Sequence, residues 1–295
     1  MHTARDLNSN AFDKLLDTKV SVDMELPELI ILSRQMRNEM LGKQVYEVEV
    51  ANPKCLNIPF ERFRKTVVGK NIKSVESRGK WLFTKINSHL LLFNPGMGSD
   101  VIHFKPDDKL PKKYQIRFTL NDGTGFTIRV WWFCYLHLMA EEKSSEHKLT
   151  AKLGVTPLDK RFTLNYLKHL LSKKRGNIKN FLLDQKNIAG IGNVYVQDIL
   201  FNAKIHPKRK IPSLTDTEIY YLHKSIISLL NESIELGGLA YEKDFYGNKG
   251  GYGSKQFKVA YKHGKPCPTC QKVIQKIKTG STSSYVCPNC QPIDR

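Results

Sequence analysis

"MELPELIILSRQMRNEMLG", residues 24–42, sets two carboxylates, Glu25 and Glu28, around Pro27 and follows them with an apolar stripe. Leu29, Ile30, Leu32, Met36 and Met40 recur near helical spacing, Pro27 suits a first turn and Gly42 a stop. The spacing therefore predicts a helix with both acids at its start. Acids are favoured there by the helix dipole alone, so their chemistry depends on what the rest of the chain builds around them.

From Gln44 to about Leu138 the pattern changes to short alternating segments, "YEVEV", "IKSVESRGKWLFTKI", "HLLLF", "YQIRFTL" and "GFTIRVWWF", with "NDGTG" as a hairpin turn. With the first helix they make an antiparallel β-sandwich domain over 24–140. The charged stretch "EEKSSEHK" ends it, and helical periodicity then runs through Thr163–Leu236, including a capping box from Thr215 to Glu218. That defines a helical domain over 150–245. The glycines of "GGLAYEKDFYGNKGGYGSKQF" read as a mobile loop leading to a cysteine-rich tail at 257–292. The fold class expected is α+β.

"CPTC" and "CPNC" place Cys267, Cys270, Cys287 and Cys290 as two Cys-x-x-Cys knuckles on a short hairpin. Four thiolates at this spacing close a tetrahedron around one structural Zn2+ and leave no open position for catalysis. The two other cysteines, Cys55 and Cys134, read as small apolar core residues. Such usage fits a reducing compartment better than a disulfide framework.

A net charge of +19 exceeds what solubility needs and points to a polyanionic partner, nucleic acid before an anionic membrane surface. No apolar run has bilayer-spanning length and the first residues lack the apolar core of a secretory signal, so a cytoplasmic, nucleoid-associated protein is expected, with no membrane partner. The charge is concentrated. Arg161, Lys168, Lys173, Lys174, Arg175 and Lys179 occupy a stretch without one acid, and residues 249–295 carry nine Lys or Arg against one Asp. After the first run, Gly190 and Gly192 give a tight turn just before Asn193, which would sit at a helix N-terminus suited to a phosphate. The turn lacks the lysine of a nucleotide-binding loop.

Taken together, "ELPE" (25–28), "RGKW" (78–81), "IAGIGNVYVQDILF" (188–201) and the finger ending "CPNCQ" resemble the formamidopyrimidine-DNA glycosylase and endonuclease VIII family, in order over residues 24–291. The resemblance implies an N-terminal β-sandwich, a helix-two-turns-helix domain and a zinc finger, acting as a monomer on duplex DNA that holds a damaged base or abasic site. Family members flip out and excise oxidised bases, then cut the abasic site by a Schiff-base lyase step. By position, Glu25 matches the glutamate that assists proton transfer and Glu28 a second acid that holds the site together. Lys80 matches a lysine that donates a proton and binds phosphate. Asn193 and Lys179 match backbone-phosphate contacts, and Met97 and Phe133 match side chains that fill the hole left by the flipped base.

The sequence departs from that pattern where the chemistry begins. The family nucleophile is an N-terminal proline immediately before "ELPE"; here that position is Met24, and residues 1–23 form a leader foreign to the pattern. Only a free amine can attack the sugar C1′, and an α-amine is roughly 10% neutral at pH 7. The expectation is therefore a chain starting at Met24 whose α-amine is the nucleophile. Trp131 replaces an arginine beside the wedge, Asn94 replaces a histidine ahead of Met97, and Thr282 replaces a DNA-contacting arginine in the finger, so that phosphate contact is either missing or taken by Lys278. Two other readings stand beside an active glycosylase: a relative that binds abasic or distorted DNA without cutting, and a zinc-ribbon factor of transcription or RNA processing.

Overall fold

The computed structural model describes residues 24–131 and 134–293; the leader, and Phe133 among the wedge candidates, lie outside the described residues. Period-two alternation gives two four-stranded antiparallel sheets. One has the order β1 (Val45–Val50), β6 (Ile116–Leu120), β7 (Gly125–Arg129), β5 (Asp100–Phe104). The other runs β2 (Ile72–Arg78), β3 (Trp81–Ile86), β4 (His89–Asn94), β8 (Tyr135–Ala140). Phe118 and Phe126 stack at 4.9 Å, and with Leu82, Leu91, Phe93 and Leu136 of the facing sheet they form one buried core. This is the sandwich that the alternation predicted.

The first helix, α1 (Leu26–Met40), lies between two cores. Leu29, Leu32, Met36 and Met40 enter the sandwich core, whereas Leu26 belongs to the core of the helical domain. A short amphipathic helix, α2 (Phe60–Val67), was hidden in the sequence by its charges; it buries only Phe63 and Val67. The helical domain comprises α3 (Leu164–Ser172), α4 (Ile178–Leu183), α5 (Tyr195–Asn202) and α6 (Asp216–Glu235). Its α6 begins at the expected box, with Glu218 N donating to Thr215 Oγ1 at 3.2 Å and Thr215 N to Glu218 Oε2 at 2.8 Å. Two tight turns join α4 to α5. The tail is a hairpin of β9 (Gln275–Thr279) and β10 (Thr282–Val286).

The glycine-rich segment differs from its reading as a mobile loop. Phe245 is fully buried in the sandwich core, its N–H donates to Gln35 Oε1 at 2.8 Å, and Asp244 accepts from Gln35 Nε2 at 2.9 Å. Lys243 reaches Asp100 at 3.5 Å. One aromatic anchor outweighs the freedom of the glycines around it. Cys134 is buried as expected, while Cys55 is half-buried on a 3-10 turn beside it. Among the described residues no helix is long and apolar enough to cross a membrane.

Candidate active site and nucleic-acid interface

Three chain segments meet at the start of α1, and glycines allow each approach. Arg78 pairs with Trp81 across the β2–β3 hairpin, which leaves Gly79 and Lys80 as its two-residue turn. Lys80 is therefore at a turn tip, not within a strand as its flanking alternation suggested. Gly79 adopts φ +57°, and a Cβ there would come within 2.7 Å of Ala189 Cβ. Gly190, at φ +114°, leaves the same kind of space for Leu26, whose N–H donates to the Gly190 carbonyl at 3.0 Å. At Gly192 a Cβ would run into the Glu25 carboxylate and sit 2.6 Å from Lys80 Nζ. The glutamate and the lysine thus face the same bare backbone.

Glu25 is completely buried. Its carboxylate accepts from Gly192 N at 2.6 Å and Val194 N at 2.8 Å, two amides at the entry to α5. Burial pushes its pKa up, opposed by the Lys80 charge and then by those amides. Burial favours the protonated carboxyl while the lysine and the amides favour the carboxylate, the balance of influences that proton transfer uses.

Glu28 is buried behind it. Oε2 accepts from Glu25 N at 3.1 Å; Oε1 accepts from Tyr195 Oη at 2.5 Å and Leu239 N at 3.0 Å. Burial raises its pKa to about 7, against the Tyr195 hydrogen bond and with help from the neighbouring Glu25 charge. The second acid therefore binds three segments together rather than facing open space. Tyr195 gave no chemical signal in the sequence, where it reads as one aromatic of an amphipathic helix.

The remaining candidates divide by place. Met97 is half-buried on the loop after β4, and a Cβ on its neighbour Gly98, at φ +66°, would lie 3.3 Å from Trp131 Cβ. Met97 and the 69% exposed Trp131 thus belong to adjoining loops on one face. Asn94 is part-buried with its amide engaged internally: Nδ2 donates to the Lys80 carbonyl at 2.8 Å and Oδ1 accepts from Gly96 N at 3.0 Å. Its amide ties the Met97 loop to the turn carrying Lys80.

Lys179 also lies elsewhere than on an open phosphate-binding face. It has no exposed surface, and its ammonium donates to Thr282 Oγ1 at 2.9 Å and the Ser283 carbonyl at 2.5 Å, on the finger hairpin. Desolvation lowers its pKa to about 8. Gln197 completes the seam, donating to Asn193 Oδ1 at 3.2 Å and to the Ser283 carbonyl at 3.2 Å while accepting from Tyr285 N at 3.0 Å. Asn193 is half-buried at this junction, and Lys278, paired with Ser283 across the hairpin, is exposed. Asp198, unmarked in the sequence reading, anchors the chain entering the finger by accepting from Lys258, Val259 and Ala260 N at 2.8–3.0 Å.

Cys267, Cys270, Cys287 and Cys290 gather their sulfur atoms within 4.8 Å of one another. The Cys267–Cys290 and Cys270–Cys287 separations are 3.8 and 3.4 Å, against about 3.8 Å for a tetrahedron with Zn–S of ~2.3 Å. Thr269 and Cys290 amides point at the Cys267 and Cys287 sulfurs, as knuckle amides stabilising thiolates do. Donor type, number and spacing all fit zinc.

A sandwich, a helix-two-turns-helix module and a four-cysteine hairpin, converging on a buried Glu and a turn lysine, define the class of two-domain DNA glycosylases with a zinc finger. Comparison with known proteins agrees. The formamidopyrimidine-DNA glycosylase N-terminal domain matches residues 24–129, its H2TH domain 153–244, and the zinc finger found in FPG and IleRS 264–293. Formamidopyrimidine-DNA glycosylases of Bacillus cereus and Shouchella clausii are 32% and 34% identical, each over 91% of this chain and 99% of the relative. The Lactococcus lactis Fpg in complex with abasic-site DNA superposes with a TM-score of 0.82 at 29% identity, covering 91% of this chain and 99% of that one. MutM in complex with DNA containing carbocyclic 8-oxo-G gives 0.83 at 30% identity, with the same coverage. The chain belongs to the formamidopyrimidine-DNA glycosylase family.

Proposed function

We propose that this protein excises oxidised bases from duplex DNA and that Glu25 and Lys80 are its acid–base pair. One observation carries the reading: the sequence-distant Glu25 and Lys80 converge against Gly192, where two amides orient the carboxylate. Lys80 neutralises charge developing on the base or an adjacent phosphate, and Glu25 transfers the proton that opens the sugar. Relatives solved with abasic and damaged DNA support this class of substrate. Met97 and Trp131 fill the gap left by the flipped nucleotide, and Phe133 joins them in this proposal. Asn193, Lys278 and the basic run from Arg161 to Arg175 hold phosphates, while Zn2+ in the four cysteines fixes the hairpin.

The lyase step is assigned to the Met24 nitrogen. In a chain whose Met24 amine is free, that amine adds to the C1′ aldehyde of an abasic site and releases water to give a Schiff base; β-elimination then expels the 3′ phosphate. With the nitrogen in a peptide bond the same protein binds and does not cut through this route. Borohydride trapping on abasic duplex DNA, with chains starting at Met1 and at Met24, separates the cases. A covalent adduct confined to the Met24 form is expected. Absence of an adduct with both forms, together with retained binding, would favour a non-cutting DNA binder.

A further inference from the structure

Tyr195 connects the two glutamates that the proposed function uses. Its backbone follows Val194, whose N–H holds Glu25, and its phenol reaches Glu28. The phenol is also 2.6 Å from Ser233 Oγ on α6. A phenol has one proton. With that proton given to Glu28, the Ser233 hydroxyl must donate to Tyr195, so the chain of donors runs from α6 through α5 to the start of α1.

We propose that Tyr195 is a positioning residue that keeps Glu28 ionised, and that Glu28 in this form holds the Glu25 backbone and the Leu239 end of the glycine-rich segment in the working arrangement. The inference rests on the glycosylase reading for its effect on activity, though the hydrogen-bond chain exists without it. All three contacts to Glu28 come from donors: Tyr195 Oη, Leu239 N and Glu25 N. A protonated carboxyl would set an O–H or a weakened acceptor against at least one of them, so proton uptake loosens either the Glu25 backbone or Leu239.

The titratable groups facing Glu28 are few. Glu25 lies beside it on α1, Tyr195 reaches it from α5, and Tyr241 senses it from the glycine-rich segment; Lys80 acts on Glu25. Tyr195 is buried and its own pKa is raised well above 10, so it remains a neutral donor throughout the working range. Glu28 titrates at about 7 with this donor in place, so loss of the donor moves its titration further up, across the neutral range.

The test is the pH profile of single-turnover excision by Tyr195→Phe in the chain that starts at Met24, from pH 5.5 to 9, on an oxidised-purine duplex. The acid limb is expected to move up by about one to two pH units, equivalent to one hydrogen bond to a charge, with activity at pH 9 within about threefold of the parent. A double Glu28→Gln, Tyr195→Phe variant should keep the acid limb of Glu28→Gln alone. Uniform loss at every pH, or an unmoved limb in folded protein, overturns the proposal. Should Tyr195→Phe fail to fold, Ser233→Ala decides: a smaller upward shift supports the chain, none refutes it. Carboxyl NMR titration of Glu28 in DNA-free protein provides the second readout. An inactive parent would sink the glycosylase reading, while an upward Glu28 titration shift in Tyr195→Phe would still sustain the inference.

Discussion

Gly192→Ala is the sharpest single perturbation of the site, because the three atoms nearest the added methyl belong to Glu25 and Lys80. Gly192 is not in the left-handed region, so backbone strain is not the cause of the effect. The new Cβ would collide with the Glu25 carboxylate and lie 2.6 Å from Lys80 Nζ. Either the carboxylate leaves the Gly192 and Val194 amides, now 2.6 and 2.8 Å away, or the lysine moves. A hydrogen bond to a charged group contributes about 1.5–3 kcal/mol, so loss of one such bond in the reacting state predicts a rate lower by roughly 10–150-fold. Overpacking itself costs about 1–3 kcal/mol of stability, small enough for the fold to survive. Gly176→Ala is the control: nothing lies within 4 Å of its added Cβ. The assay is single-turnover excision from a duplex carrying an oxidised purine, with affinity for a stable abasic analogue measured in parallel. Full activity in folded Gly192→Ala would refute the convergence of Glu25 and Lys80 as the working geometry.

Glu25→Gln retains the shape and removes the proton carrier, so excision should fall by about 10²–10⁴-fold with abasic-DNA affinity within a few-fold, measured by quenched-flow and anisotropy. Zinc removal by a chelator should abolish tight DNA binding while the β-sandwich stays folded by far-UV circular dichroism; unchanged affinity would contradict the finger's assignment. Phe245→Ala empties a fully buried ring site and should cost about 3–5 kcal/mol in denaturant unfolding, with protease cleavage appearing within 240–252. DNA affinity should fall steeply between 50 and 200 mM salt, by about 10³-fold or more if six phosphates are neutralised; a flat response would argue against the charged face.

What could be read from the chain was whatever local chemistry dictates. Cys-x-x-Cys pairs specify a tetrahedron wherever the hairpin lies, and the Thr215–Glu218 box starts α6 in any context. Lys80 was misplaced because Arg78 and Trp81 continue the strand pattern on both sides, and a two-residue turn adds no polar run to reveal itself. Lys179 and Asn94 read as outward polar residues because a sequence does not show which polar groups find internal partners. The finger carbonyl that satisfies Lys179 is 104 residues away. Phe245 was concealed by its company, since six glycines occupy the stretch from Gly237 to Gly253 inclusive. Tyr195 became legible only when Glu28, 167 residues away, was seen beside it.

The buried lysine explains why a small metal hairpin can organise a surface well beyond itself. Lys179 is fully covered and its ammonium donates to Thr282 and Ser283 of the finger, so separating finger from helical domain would leave those acceptors and the ammonium to water. The Ser283 carbonyl is shared with Gln197, which holds Asn193, and Asn193 directly follows the glycine whose amide holds Glu25. Seating of the hairpin is thereby linked through four contacts to the Glu25 carboxylate. The pH dependence of that seam has a definite sign. Because the folded pKa, about 8, is below the ordinary lysine value, the unfolded chain binds more protons between pH 8 and 10.5, and Lys179 makes stability rise with pH across that window. Lys179→Met, which keeps the stem and removes the charge, should flatten that rise in chemical denaturation. A rise of the same size in the variant would mean that the ammonium is not held in the dry seam seen here.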